Sequence, residues 1–141
     1  MKILITEDMP LVIALYSAVL AGFPTVTCDF ADSSDASRAK FNSSDYDLFF
    51  FDLNLNNCKE TGLDLIEQLH SLDKNKDIPV FLATSQSDPI TRQAASKLGV
   101  TGVVPKDGEF LSTIRLLVQN RAATMDEQPV PASRPEFANN M

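Results

Sequence analysis

The chain has 141 residues, with 19 Asp and Glu against 12 Lys and Arg, a net charge of −7, and 44% hydrophobic residues. That size and apolar content suit one domain with its own core. The acidic balance argues against nonspecific binding to nucleic acid or to an anionic membrane. No apolar stretch approaches membrane-spanning length, and Met1–Thr6 runs into Glu7 and Asp8 too soon for a signal-peptide core, so the expected compartment is the cytoplasm.

Lys2–Thr6 reads as a short apolar strand, with Glu7 and Asp8 at its C-terminal end. Pro10 suits the first turn of a helix, and Leu11, Leu15 and Val19, with Val12 and Tyr16, keep helical spacing up to Gly22. Thr25–Ala31 is strand-like, with Val26, Cys28 and Phe30 alternating. Ser33 and Ser34 are N-cap candidates for a polar helix ending near Phe41. Leu48–Phe51 is a run of apolar residues bounded by polar ones, as in a strand buried on both faces of a parallel sheet, and Asp52 closes it.

A polar loop, Leu53–Thr61, contains Asn54, Asn56 and Asn57. Gly62 opens a helix with apolar positions Leu63, Leu65, Ile66 and Leu69, and His70 near its end reads as a surface histidine favoured by the helix dipole. Ile78–Ala83 is a further strand, closed by Thr84. Asp88 and Pro89 read as an N-cap and first helical residue, and that helix stops at Gly99. Thr101–Val104 is the fifth strand; Phe110, Leu111, Ile114, Leu117 and Val118 mark a last helix to about Arg121. From Ala122 the apolar period is lost and Pro129, Pro131 and Pro135 appear, so 1–121 is expected to be the domain and 122–141 a flexible tail or linker. The alternation of strands and helices predicts a doubly wound α/β fold, a parallel sheet with helices on both faces.

In such a sheet the crevice lies outside the carboxyl ends of the strands. Those ends deliver Glu7 and Asp8, Asp52, Thr84 and, one residue past Pro105, Lys106, with Asp32 at the edge of the group. Clustered carboxylates repel one another, and a hard divalent cation such as Mg²⁺, which takes carboxylates, waters and phosphate oxygens, resolves that conflict. Thr84 and Lys106 can donate hydrogen bonds to an anion. The set suits a carboxylate nucleophile that receives a phosphoryl group. Cys28 and Cys58 have no C-x-x-C spacing, so neither zinc nor a disulfide is indicated.

Taken together and in order, the acidic pair in I-T-E-D, the acceptor in F-F-D-L-N, the threonine in F-L-A-T-S and the lysine in V-V-P-K-D resemble the receiver domains of two-component response regulators over roughly Lys2–Arg121. The resemblance implies a flavodoxin-like (βα)5 fold. It implies Asp52 as phosphoacceptor, Asp8 and Asp52 with the main-chain carbonyl of Asn54 around Mg²⁺, Glu7 assisting through water, and Thr84 and Lys106 on the phosphoryl oxygens. It implies a histidine kinase or histidine phosphotransfer protein as donor, and an output domain or homodimer contact through the fourth helix, fifth strand and fifth helix. Asn54 and Gln86, two residues past the acceptor and past Thr84, are placed either to orient the water that removes the phosphoryl group or only to satisfy main-chain groups of their loops.

Two positions depart from the family pattern. Val103 stands where many members carry Tyr or Phe at the switch position. Pro105 precedes Lys106 and Asp107 follows it, where many members have proline after the lysine.

Other classes fit less well. A flavin carrier would need a phosphate cradle where Glu7 and Asp8 stand. A hydrolase of the haloacid dehalogenase kind would want a second Asp where Asn54 stands, and a P-loop is absent. The main alternative is a binding module on the same fold that works without phosphorylation.

Overall fold

A computed structural model describes residues 1–55, 59–86 and 88–126 of the chain. Cys58, Asn56, Asn57 and the proline-containing stretch Pro129–Pro135 lie outside the described residues. The elements are β1 (Lys2–Thr6), α1 (Pro10–Leu20), β2 (Thr27–Ala31), α2 (Ser34–Ser43), β3 (Leu48–Asp52), α3 (Gly62–His70), β4 (Val80–Thr84), α4 (Pro89–Lys97), β5 (Gly102–Pro105) and α5 (Phe110–Asp126). A single 3-10 turn at Asp73–Asn75, which carries no apolar period, joins α3 to β4.

All five strands pair in parallel in the order β2-β1-β3-β4-β5. This is the flavodoxin-like order, whose switch point lies between β1 and β3. Strand period divides the core between the two faces. Leu48 and Phe50 of β3 join Ile3 and Ile5 of β1 under α1 and α5, where they meet Tyr16 and Ile114. Phe49 and Phe51 point the other way, with Leu4, to Phe41 of α2 and Leu65, Ile66 and Leu69 of α3. Phe49, Phe50 and Phe51 are each fully buried, and each such burial is worth about 2 kcal/mol. The apolar run before Asp52 is therefore the centre of both half-cores.

Local signals set most element ends. Ser33 caps α2 by accepting from the Ala36 N–H at 3.1 Å, and Ser34 is the first helical residue. Thr61 and Asp64 form a capping box at the start of α3. Asp88 accepts from the Thr91 N–H at 2.8 Å ahead of Pro89. Gly99 takes φ +81° just past α4, a conformation that favours glycine.

Several boundaries differ from the sequence reading, among them those of β2, β4 and α5. β2 and β4 start later, at Thr27 and Val80, because Pro79 has no N–H for the ladder and Thr25–Val26 lies before the first pairing with β1. α5 continues to Asp126 rather than stopping near Arg121. Ala122–Asp126 contains no Gly or Pro, so loss of the apolar stripe removes packing without ending the helix. The start of the predicted tail is thus helical.

No helix among the described residues is long and apolar enough to cross a membrane.

Candidate functional site

Main-chain bonds extend the sheet ladders one step past the strands and so fix where the site residues leave. The Glu7 N–H donates to Ala31 O at 2.9 Å, Leu53 to Ala83 O at 3.0 Å, and Lys106 to Thr84 O at 2.9 Å. Thr6 is level with Phe51, Asp52 with Ala83, and Thr84 with Pro105. These registers bring Glu7, Asp8, Asp52, Thr84 and Lys106 to one end of the sheet, over the β1/β3 switch point.

One oxygen each from Glu7, Asp8 and Asp52 lies within 4.8 Å of the others. Glu7 is 1% and Asp52 5% exposed. The Lys106 ammonium reaches between them, with Nζ donating to Glu7 Oε1 at 2.7 Å and lying 3.1 Å from Asp52 Oδ1. The second Glu7 oxygen, Oε2, accepts from the Met9 N–H at 3.2 Å. Burial, with Asp52's negative charge adding to it, holds the Glu7 carboxyl above its ordinary value, while Lys106 opposes that rise. One ammonium among three carboxylates leaves the cluster short of positive charge, and its donors are all hard oxygens, the set that suits Mg²⁺ or a similar cation.

The rim is made by two loops. The Asn54 N–H donates to Asp52 Oδ1 at 3.3 Å, and Asn54 Nδ2 donates to Gln86 Oε1 at 3.4 Å. Both side chains are exposed, so the two amides face each other across the mouth. Thr84 is buried; its Oγ1 accepts from the Gln86 N–H at 2.8 Å and donates to Gln86 O at 3.3 Å. Its hydroxyl is therefore engaged with the loop after β4. Asp32 is exposed and outside the carboxylate cluster. Val103 is half-buried, packed against the core under α2 and α3. No cis peptide occurs among the described residues, those at Pro105 and Lys106 included.

Sequence reasoning missed one contact and one residue. The direct bond between Glu7 and Lys106 joins positions far apart in the chain, and no local signal announces it. Gly62 starts α3 against the Asp52 main chain, and its N–H donates to Leu53 O at 2.8 Å. A glycine at the first position of a helix was the available signal for such a close approach.

The family model for the response regulator receiver domain matches residues 3–116. The chain belongs to the response regulator receiver domain family. A receiver domain is a signalling module rather than a classical enzyme. Among curated proteins no relative matches this receiver.

Among solved structures, it is similar to the chemotaxis response regulator CheY4 of Vibrio cholerae (20% identity, TM-score 0.75, 85% of this chain and 97% of that one). It is similar as well to the phosphorylated cyanobacterial phytochrome response regulator RcpA (20%, TM-score 0.79, 93% and 98%). A third similar structure is the Mn²⁺-bound form of response regulator Rcp1 (20%, TM-score 0.75, 93% and 99%). At that identity these likenesses bear on the fold, which is the flavodoxin-like architecture of this receiver.

Proposed function

We propose that this receiver accepts a phosphoryl group on Asp52 from the phosphohistidine of a histidine kinase or histidine phosphotransfer protein, and that the modified form regulates an output domain or a partner. The observation that carries the reading is the Lys106 ammonium held between Glu7 and Asp52, beside Asp8 and at the C-terminal ends of the strands.

In this reading an Asp52 carboxylate oxygen attacks phosphorus in line with the leaving nitrogen. The new P–O bond forms as the P–N bond breaks, and its electron pair returns to the donor imidazole. Burial of Asp52 keeps bulk water from competing at the nucleophile. Lys106 is anchored on Glu7 and needs only to swing from the carboxylate of Asp52 to an oxygen of the arriving group. The Thr84 hydroxyl exchanges its long bond to Gln86 O for a phosphoryl oxygen, which releases the loop leading to α4.

Asp8 and Asp52, with the main-chain carbonyl of Asn54, would hold Mg²⁺, and Glu7 would assist through water. Bound there, Mg²⁺ supplies the positive charge that three carboxylates and a phosphoryl group require. The partner or dimer contact is assigned to the face of α4, β5 and α5. Ile90 of α4 is 81% and Leu116 of α5 54% exposed.

The test is mass spectrometry after incubation with acetyl phosphate and Mg²⁺. Wild type gains one phosphoryl group and Asp52→Asn gains none. Labelling that persists in Asp52→Asn removes the assignment, and a wild type that is never labelled favours a binding module that works without phosphate.

A further inference from the structure

At the opposite end of the sheet from Asp52, a cavity of about 260 Å³ lies between the starts of β3, β4 and β5 and the last turns of α5. Its apolar lining is made by Leu48, Pro79, Phe81 and Leu117, and its polar lining by Thr101, Asn120, Arg121 and Thr124. The volume is just under the range of about 300–1,000 Å³ usual for small-molecule sites, and the lining has their pattern of an apolar body with few polar groups. Leu48 is fully buried, while Pro79, Phe81 and Leu117 keep part of their surface uncovered toward this space. Leu117 and Arg121 are four residues apart on α5 and share a face.

Arg121 is the feature that points to a ligand. It is half-buried, and its Nε–H donates to the main-chain oxygen of Asp47 at 2.8 Å, which fixes the plane of the guanidinium. Among the described residues no carboxylate lies within ion-pair distance of it. The other end of that contact offers none either, since the Asp47 carboxylate accepts from the Lys2 N–H at 2.8 Å. The two terminal nitrogens of Arg121 are left with donors in a fixed fork, the geometry that matches a carboxylate. In a chain of net charge −7, a guanidinium fixed in place and without an ion-pair partner among the described residues, beside an apolar floor, is a selective feature.

We propose that this cavity binds a small amphiphilic monocarboxylate, an aromatic or compact aliphatic body seated on Phe81, Pro79 and Leu117 with its carboxylate on Arg121. The site is separate from the carboxylate cluster and does not depend on phosphorylation. Phe81 is also stacked on Phe50, with ring centroids 5.7 Å apart, so the ligand rests on the core strand that ends in Asp52.

The test is a titration of the isotope-labelled 141-residue chain, followed by amide NMR shifts, with indole-3-acetate and with its neutral counterpart indole-3-acetamide. Saturable shifts centred on Phe81, Thr101, Leu117 and Arg121 are expected. The amide should bind about tenfold more weakly, the worth of a charge-assisted hydrogen bond. Arg121→Gln should reduce the preference for the acid, and Leu117→Trp, which fills the cavity, should abolish binding of both while the remaining spectrum stays folded. Absence of saturable shifts at millimolar probe, equal affinity for acid and amide, or undiminished binding by a folded Leu117→Trp variant overturns the proposal.

Discussion

Gly62 opens α3 so close to Asp52 that a Cβ at position 62 would overlap the main-chain oxygen of Asp52 and press on Leu82. The helix is seated on the residue that carries the proposed chemistry. Gly62→Ala should therefore lower stability by about 1–3 kcal/mol, the usual cost of overpacking, and slow labelling of Asp52. Gly108 meets nothing within 4 Å of a built Cβ, so Gly108→Ala is the neutral control. Urea denaturation and the rate of acetyl-phosphate labelling check both; a Gly62→Ala protein indistinguishable from Gly108→Ala would show that the seat is not tight.

Removal of metal should be legible in stability. A ligand that binds only the native state stabilises it by mass action, about 2.7 kcal/mol at a hundredfold excess over Kd. Millimolar Mg²⁺ should raise the melting temperature of wild type relative to EDTA, and Asp8→Ala, which removes one of the three clustered carboxylates, should reduce that rise. A wild-type melting temperature indifferent to Mg²⁺ argues against a metal at this cluster.

The cap of α4 supplies a pH dependence with a definite sign. Hydrogen bonds from Thr91, its backbone N–H first, hold the Asp88 carboxyl below its ordinary value of 3.8. A group lowered in the folded state contributes stability above its unfolded value and loses that contribution as pH falls through the folded one. Ala95 is the only buried residue of α4, so the loss is expected to be local. Amide exchange in the first turn of α4 should therefore rise below pH 3.8 relative to its intrinsic rate. Asp88→Ala should show the raised exchange at neutral pH as well, and an unchanged α4 in that variant would mean the cap is dispensable.

The lifetime of the phosphorylated form should depend on the two amides at the mouth. Asn54 and Gln86 touch across it at 3.4 Å, and both are exposed. Neither is a base, so their effect on the attacking water is positioning. Asn54→Met and Gln86→Leu should each slow decay several-fold, and because the side chains are in contact their effects should not add. Decay of phosphorylated protein is the measurement; unchanged rates in both variants would take the amides out of the step.

Val103→Tyr should leave labelling intact. Val103 packs on the core beneath α2 and α3 rather than in the carboxylate cluster, and its neighbour across the sheet is Leu82. Loss of labelling in a folded Val103→Tyr protein would give position 103 a part in the chemistry itself.

The sequence by itself determined the alternation of strands and helices, the two-sided burial of Leu48–Phe51, the caps at Ser33 and Asp88 and the polar residues at or just past the strand ends. These are properties of neighbours in the chain: apolar period, capping side chains and the missing donor of proline act over a few residues. It understated α5, because the apolar stripe fades before the helix does.

Tertiary structure alone decided the strand order, and with it which strand ends adjoin. It also decided that Lys106 is anchored on Glu7 while touching Asp52, that Gly62 is pressed against the main chain of Asp52, and that Arg121 is fixed by Asp47 over an apolar cavity. Each of these relations depends on the register of strands and the seating of helices across the core. Close packing selects one such arrangement for the whole domain, and no short segment encodes it.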